Sequence, residues 1–336
     1  GGLVTRSRYL HGIISAAAAC GVIGGGDTPC YRYVLTIESE LARLRHTRLS
    51  APYYRKTPPD IIEEILAKYG IKAAFSSEYI NRSGFGKNLM FDQVNVSDFD
   101  FIRRIMDIYG ISWTFTHGAV SPEGMGSAEL HFTSGSRFPA PVYEYSDKRK
   151  IPDTEQFAFV NYDDRQNIWR MAGWRMESGI GVDGLEVTAP YPEADYGSQD
   201  WRWGDTAPGK RRHNYGSLFH GYERGTAMEE IDADVKTIIE ARRIALALAK
   251  ENWTGAAESI LPMPGLLLTV GHFQGARDTG TVTALVTDSR LHARGVWPAD
   301  FSAPPPDVET GELVKTEFNV VDWGADSEKR FCGNGR

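Results

Sequence analysis

The chain has 336 residues and carries 37 Lys and Arg against 44 Asp and Glu, a formal net charge of −7. That length allows one large or two to three modest domains, and 41% hydrophobic with 24% charged residues is the composition of a soluble globular protein with a sizeable core. The acid excess argues against a nucleic-acid partner, whose binding footprint is usually basic. No apolar run reaches the ~18 residues that a membrane-spanning helix needs, which argues against stable membrane insertion.

The first apolar stretch, HGIISAAAACGVIGGG, is short and glycine-rich, and its GGGDTP continuation reads as a turn. It carries no signal-peptide pattern. RYLHGIIS before this turn and YRYVLTIES after it read as two strands of an antiparallel pair. In the second, Tyr31, Tyr33, Leu35 and Ile37 share one face and Arg32, Thr36 and Glu38 the other, which predicts a half-buried strand. Cys20 and Cys30 flank the loop of this pair and Cys332 lies near the end. Three cysteines make no disulfide framework, and reduced thiols in a cytoplasmic protein are expected. The N-x-S/T triplets at Asn81, Asn95 and Asn252 read as chance matches.

TPPDIIEEILAKYGI predicts a helix with Thr57 as N-cap, Pro58 in the first position and Gly70 as a left-handed stop. Ile61, Ile62, Ile65, Leu66 and Tyr69 form its apolar stripe. VSDFDFIRRIMDIYG repeats the grammar. Ser97 is the N-cap, Asp100 lies three residues on as in a capping box, and Gly110 ends the helix. Asp98 and Asp100 thus have a structural role at the positive end of a helix dipole. On this reading Asp98→Asn leaves assembly nearly intact. ISWTFTH then turns to a strand period.

AELHFTS, TEQFAFVNYDD, NIWRMAGWRMES and GLEVTAP read as further strands, and residues 190–222 as long loops. TAMEEIDADVKTIIEARRIALALAKENW predicts the longest helix, with Ile231, Val235, Ile238, Ile239, Ala245, Leu246 and Ala249 inward. PMPGLLLTVGHF and TGTVTALVTDSRLHAR predict a hairpin-like pair, and APPPD a stiff linker.

The search for chemistry returns little. No metalloprotease helix, phosphate loop, dinucleotide fingerprint or nucleophile elbow occurs. His213 and His220 are close in sequence but lack a cysteine for zinc. Asp163 and Asp164 read as a turn, although two carboxylates from separate segments can meet as a glycosidase pair. Trp201 and Trp203 could stack on a sugar or anchor a loop. No catalytic, cofactor-binding or metal-binding residue is assigned, and no cofactor is expected.

The order of the pieces carries a resemblance. RYLHGIIS, YRYVLTIESELARLR, KTPPDIIEEILAKYGI and VSDFDFIRRIMDIYGISWTFTH resemble the VgrG spike proteins of type VI secretion and, equally, the late-control D hub proteins of contractile-tailed phages. The most diagnostic run is matched at Ser97, Asp98, Phe99, Asp100, Phe101, Ile102, Gly110, Ile111, Phe115 and His117. LPMPGLLLTVGHF and TVTALVTDSRLHA are similar to a later family segment through Pro264, Gly265, Gly271, His272 and His292. Val96, Trp113 and IESELARL depart from the pattern, and residues 190–222 match nothing in it.

The resemblance spans residues 8–295 and implies an α+β chain. Two phage-tube-like β-barrel domains, the first incomplete, would flank an α/β portion. The implied division is 1–55 for part of the first barrel, 56–145 for the α/β portion with two capped helices, 146–322 for the second barrel with one long helix, and 323–336 for a junction to an oligonucleotide-binding-like and needle region. It implies a non-enzymatic structural hub and a homotrimer whose six barrels seat on a hexameric, Hcp-like inner tube. Baseplate or wedge proteins and an effector or needle-tip protein are the other implied partners. Assembly in the bacterial cytoplasm and ejection into a target cell or the medium are implied as well. A phage or tailocin baseplate hub is the first alternative, and a hydrolase of cell-wall polymer the second.

Overall fold

The computed structural model describes residues 6–7, 10–23, 30–76, 80, 82–87, 89–117, 128–134, 144–145, 155–158, 171–178, 181–190, 198–204, 210–217, 220–248, 251–257, 264–265, 267–271, 282–293 and 314–322. In chain order the elements are β1 (Arg6–Ser7), β2 (Ile13–Ile23), β3 (Cys30–Glu38), β4 (Arg48–Tyr54), α1 (Pro58–Lys68), β5 (Ala73–Ala74), β6 (Leu89–Ser97), α2 (Asp98–Tyr109), β7 (Ser112–His117), β8 (Ala128–Thr133) and β9 (Glu144–Tyr145). They continue with β10 (Glu155–Ala158), β11 (Met171–Ser178), β12 (Gly184–Pro190), β13 (Ser198–Gly204), β14 (Arg212–Ser217), β15 (Gly221–Tyr222), α3 (Met228–Leu248), β16 (Glu251–Ala257), β17 (Leu267–Gly271), β18 (Val282–Ala293) and β19 (Val314–Asp322).

The fold is mixed α+β. Thr57 caps α1 through a reciprocal capping box with Asp60, with proline at the first position. Gly70 has φ 66°. Gly110 ends α2 at φ 64° and ψ 33°, the left-handed conformation that glycine adopts without a Cβ penalty. Ile61, Ile62, Ile65 and Leu66 of α1 and Phe101, Ile102, Ile105 and Ile108 of α2 are fully or almost fully buried. Each such side chain contributes about 1.5–3 kcal/mol on removal from water. The same apolar cluster takes in Leu185, Val187 and Ala189 of β12 and Ile231, Val235 and Ile238 of α3, so segments far apart in the chain share one core.

Three small sheets lie around these helices. β15, β6 and β4 form an antiparallel sheet in that order, β7 pairs antiparallel and β5 parallel with β8, and β12 sits between antiparallel β13 and parallel β14. The largest sheet has six strands in the order β10-β17-β18-β19-β16-β11. Its β17–β18 pair is antiparallel, as predicted. Among the described residues no sheet closes into a barrel, and the two-barrel arrangement is not seen.

Other expectations are corrected. Residues 190–222 are not long loops throughout: β13, β14 and β15 lie there. The turn-forming glycines and prolines hid an alternation in which Trp201 is buried and Trp203 is exposed, and which only the partner strand β12 makes useful. The long helix ends at Leu248, and Glu251–Ala257 is strand β16, bonded on both sides by β11 and β19. Two paired edges override the helix propensity of the alanine-rich stretch. Strands β4, β6 and β19 fall where the sequence reading assigned no element.

β2 and β3 do form the predicted antiparallel pair, with Ile14 opposite Ile37 and Ile23 opposite Cys30. The half-buried face does not follow. Tyr33, Leu35 and Ile37 are 64%, 51% and 60% exposed, and Val34 on the other face is 51% exposed. The pair stands off the core as an arm, because no described element lies over either face. Cys20 is exposed, and the register places Ile23, not Cys20, opposite Cys30.

Candidate functional site

The helix starts explain the acidic pair. Ser97 Oγ accepts from Asp100 N at 3.0 Å and donates to the Asp100 carboxylate at 2.7 Å, so Asp100 completes the N-terminal cap from an exposed position. Asp98 is different. It is completely buried, and its carboxylate accepts from Tyr69 Oη at 2.7 Å and from Gln93 Nε2 at 2.8 Å, while its own N–H donates to Thr47 O at 3.3 Å. It ties the end of α1 and strand β6 to the start of α2. Burial, together with the Asp98 carboxylate, holds the Tyr69 phenol above its ordinary pKa. The expectation that Asp98 only complements a dipole is therefore revised.

A second buried polar cluster has Asp234 of α3 at its centre. Its Oδ2 accepts from Tyr109 Oη at 3.0 Å and Tyr222 Oη at 2.9 Å and lies 3.4 Å from His220 Nε2, and its Oδ1 accepts from Gly86 N at 3.3 Å. Tyr109 Oη is also 3.2 Å from His220 Nε2. Asp234 and His220 are 2% and 3% exposed. Burial first, then the Asp234 charge, drives both tyrosine pKa values up. The cluster joins the last residue of α2 to α3, to β15 and to the turn before β6. A buried carboxylate is tolerable when several donors satisfy it.

The remaining sequence candidates separate. His220 belongs to this cluster, whereas His213 lies on β14 opposite Leu185 of β12. Trp201 is on β13 and buried, its Nε1 donating to Asp232 Oδ1 at 3.0 Å, which anchors β13 to α3. Trp203 on the same strand is 37% exposed with the Arg243 guanidinium 5.9 Å from its ring. Asp163, Asp164, Cys332 and Asn81 lie outside the described residues. The six-stranded sheet carries an open groove of about 570 Å³ whose lining includes Arg175, Asp288, Arg290, Glu317 and Asn319. Its charges are mixed, with Asn319 Nδ2 3.4 Å from Asp288 Oδ2 and His292 3.8 Å from Glu317. Among the described residues no group of three or more His, Cys, Asp or Glu side chains is placed to hold a metal ion, and no helix is long and apolar enough to cross a membrane.

Sequence reasoning missed Asp234. The signal was present: Ile231, Asp234, Val235 and Ile238 share one helical face, and an acid in an apolar stripe implies buried donors.

What these features define is a scaffold whose polar residues hold elements together. The fold is that of phage-tail proteins. The chain is similar to the E. coli c3393 protein, described as a component of the type VI secretion system with structural similarity to bacteriophage T4 tail proteins, at TM-score 0.55 and 14% identity over 96% of this chain. It spans 63% of that protein. It is also similar to a tail protein from Neisseria meningitidis at TM-score 0.56 and 13% identity, covering 96% of this chain and 81% of that one. A 43 kDa prophage tail protein from Shewanella oneidensis matches at TM-score 0.51 and 11% identity, with 94% and 78% covered. No curated protein sequence matches significantly.

Residues 4–150 match the family model described as phage tail baseplate hub (GPD). That stretch contains the run from Ser97 to His117 on which the sequence resemblance rests, and the match supports the resemblance to VgrG and GPD-type hub proteins.

Proposed function

We propose that the chain is a structural hub of a contractile injection machine, seated on a hexameric inner tube and carrying a needle and its effectors, as in type VI secretion. The observation that carries this reading is the hub-family match over residues 4–150, which includes the arm formed by β2 and β3. That arm holds Ile14, Tyr33, Val34, Leu35 and Ile37, five exposed large apolar side chains concentrated in one projection. Apolar surface of this kind is normally covered in an assembly. In this reading three copies surround the tube axis, the division at residues 55, 145 and 322 separates tube-facing from connecting parts, and the chain works without cofactor or catalysis. It assembles in the cytoplasm and leaves with the needle.

The family description itself favours a second reading, a baseplate hub of a contractile phage tail or tailocin. Both readings predict a homotrimer, and light scattering on the full-length protein tests it. A trimer that co-sediments with an Hcp-like ring supports the secretion reading, and one that binds only phage tube protein supports the other. A monodisperse dimer or monomer would sink both. Hydrolysis of peptidoglycan by the purified chain would point instead to an enzyme.

A further inference from the structure

The arm has two unlike halves. The register of β2 with β3 sets Ala17 opposite Leu35, Ala19 opposite Tyr33 and Ile14 opposite Ile37. Residues directly opposite each other in an antiparallel pair point to the same face, and alternate residues along a strand share it. One face therefore carries exposed Tyr33, Leu35 and Ile37 in a row along β3. Beside them along β2 lie Ala17 and Ala19, exposed as well. The large side chains form a ridge, and the alanines form a shelf one strand spacing away, about 4.8 Å. Ile14 bounds the shelf at the base of the arm.

Among the described residues no charged side chain stands on this face. Thr36, and Glu38 at the base, fall on the opposite face with Ala16, Ala18 and Val34. The ribbon has no third strand, and its described part packs chiefly against itself. A ridge packs well only over small residues, and a shelf only under large ones, as when facing layers of a core alternate large and small. The chain carries both halves of that match on one uncharged face, so the surface that fits the arm is the arm of another copy.

We propose that each copy lays its ridge of Tyr33, Leu35 and Ile37 on the shelf of Ala17 and Ala19 of the next copy, with this face of every arm turned to a common threefold axis. The inference rests on the homotrimer reading above and supplies its contact. The contact joins two different halves, so it is heterologous. It passes from copy to copy and is complete when the third ridge reaches the first shelf. Covering the ridge removes from water the side chains that a lone ribbon exposes. A two-stranded ribbon, marginal by itself, gains a packed face. The opposite face, with Thr36 and Glu38, stays on the outside.

Two co-expressed versions of the full chain test this, both carrying Cys20→Ser, Cys30→Ser and Cys332→Ser. One adds Ala17→Cys, and the other adds Leu35→Cys and a longer tag. Within one chain these positions are opposite partners, so placing them on separate chains reports contact between copies only. Mild oxidation is expected to link the two versions at least tenfold more than it links an Ala18→Cys version to Leu35→Cys, because Ala18 points to the opposite face. Ala17→Phe adds apolar surface yet fills the shelf. It is expected to raise the trimer's dissociation constant at least tenfold, read by light scattering over a dilution series, with circular dichroism unchanged. A trimer in which the Ala17 and Ala18 versions link equally, or one that tolerates Ala17→Phe, would overturn the ridge-and-shelf contact and leave the homotrimer reading standing. A chain that is a monomer or dimer in light scattering would overturn both.

Discussion

At the scale of single residues, the two buried carboxylates matter most. Asp234→Ala would leave Tyr109 Oη, Tyr222 Oη and Gly86 N without their acceptor inside the core. Each buried donor left unmet costs about 1–3 kcal/mol, and urea denaturation should show a loss of at least that size. A loss below about 1 kcal/mol would mean that water reaches the cluster. Asp98→Asn keeps an oxygen for Tyr69 but turns an amide toward Gln93 Nε2 or forces Gln93 to flip. A loss of about 1–3 kcal/mol is expected, the usual cost of an unmet buried donor, whereas Asp100→Asn at the exposed cap should be nearly silent. Gly110→Val places a β-branched residue at φ 64° and should cost about 1 kcal/mol or more.

At the scale of elements, caps and junctions set the limits. Ser97→Ala removes the oxygen that accepts from Asp100 N, and thermal melts should show the helix-cap cost of about 0.5–2 kcal/mol. The junction after β3 has an acid response of its own. Ser15, then Arg45, holds the Glu38 carboxyl below its ordinary pKa. A lowered folded-state pKa gives a contribution that is complete above the unfolded carboxylate value, about 4.3, and lost as pH falls through the folded one. Protection at the start of the short 3-10 helix Glu40–Arg45 that follows β3 should therefore fail only below about pH 4, and the effect should weaken with salt because the pair is exposed. Arg45→Gln should move that failure to higher pH. An unchanged profile would show that the pair does not anchor the arm.

At the scale of the whole molecule, the arm and the six-stranded sheet are the surfaces that a lone chain leaves unsatisfied. A two-stranded hairpin is marginal in water, and Leu35 and Ile37 stand in solvent on one face of it. If the arm carries assembly, the double change Leu35→Asp and Ile37→Asp should convert oligomer to monomer in light scattering while circular dichroism stays unchanged. An oligomer that survives the double change would place the interface elsewhere, and the open groove on the large sheet is then the next surface to alter.

The sequence alone determined the features that depend on neighbours in the chain. Thr57 with Pro58, Ser97 with Asp100, and the stops at Gly70 and Gly110 were legible because caps and left-handed turns are decided within a few residues. The hub resemblance was legible for the same reason, since it rests on ordered short motifs. Only the tertiary structure decided which side chains are covered. The β2–β3 strands alternate like a half-buried pair, yet nothing in the described chain lies over them. Asp98 and Asp234 are polar side chains that favour water, yet donors from β6, the residue after α1, α2, β15 and the turn before β6 make burial possible. Strands β13 and β16 exist because partners distant in sequence supply their hydrogen bonds, and such long-range pairing leaves little trace in any local window.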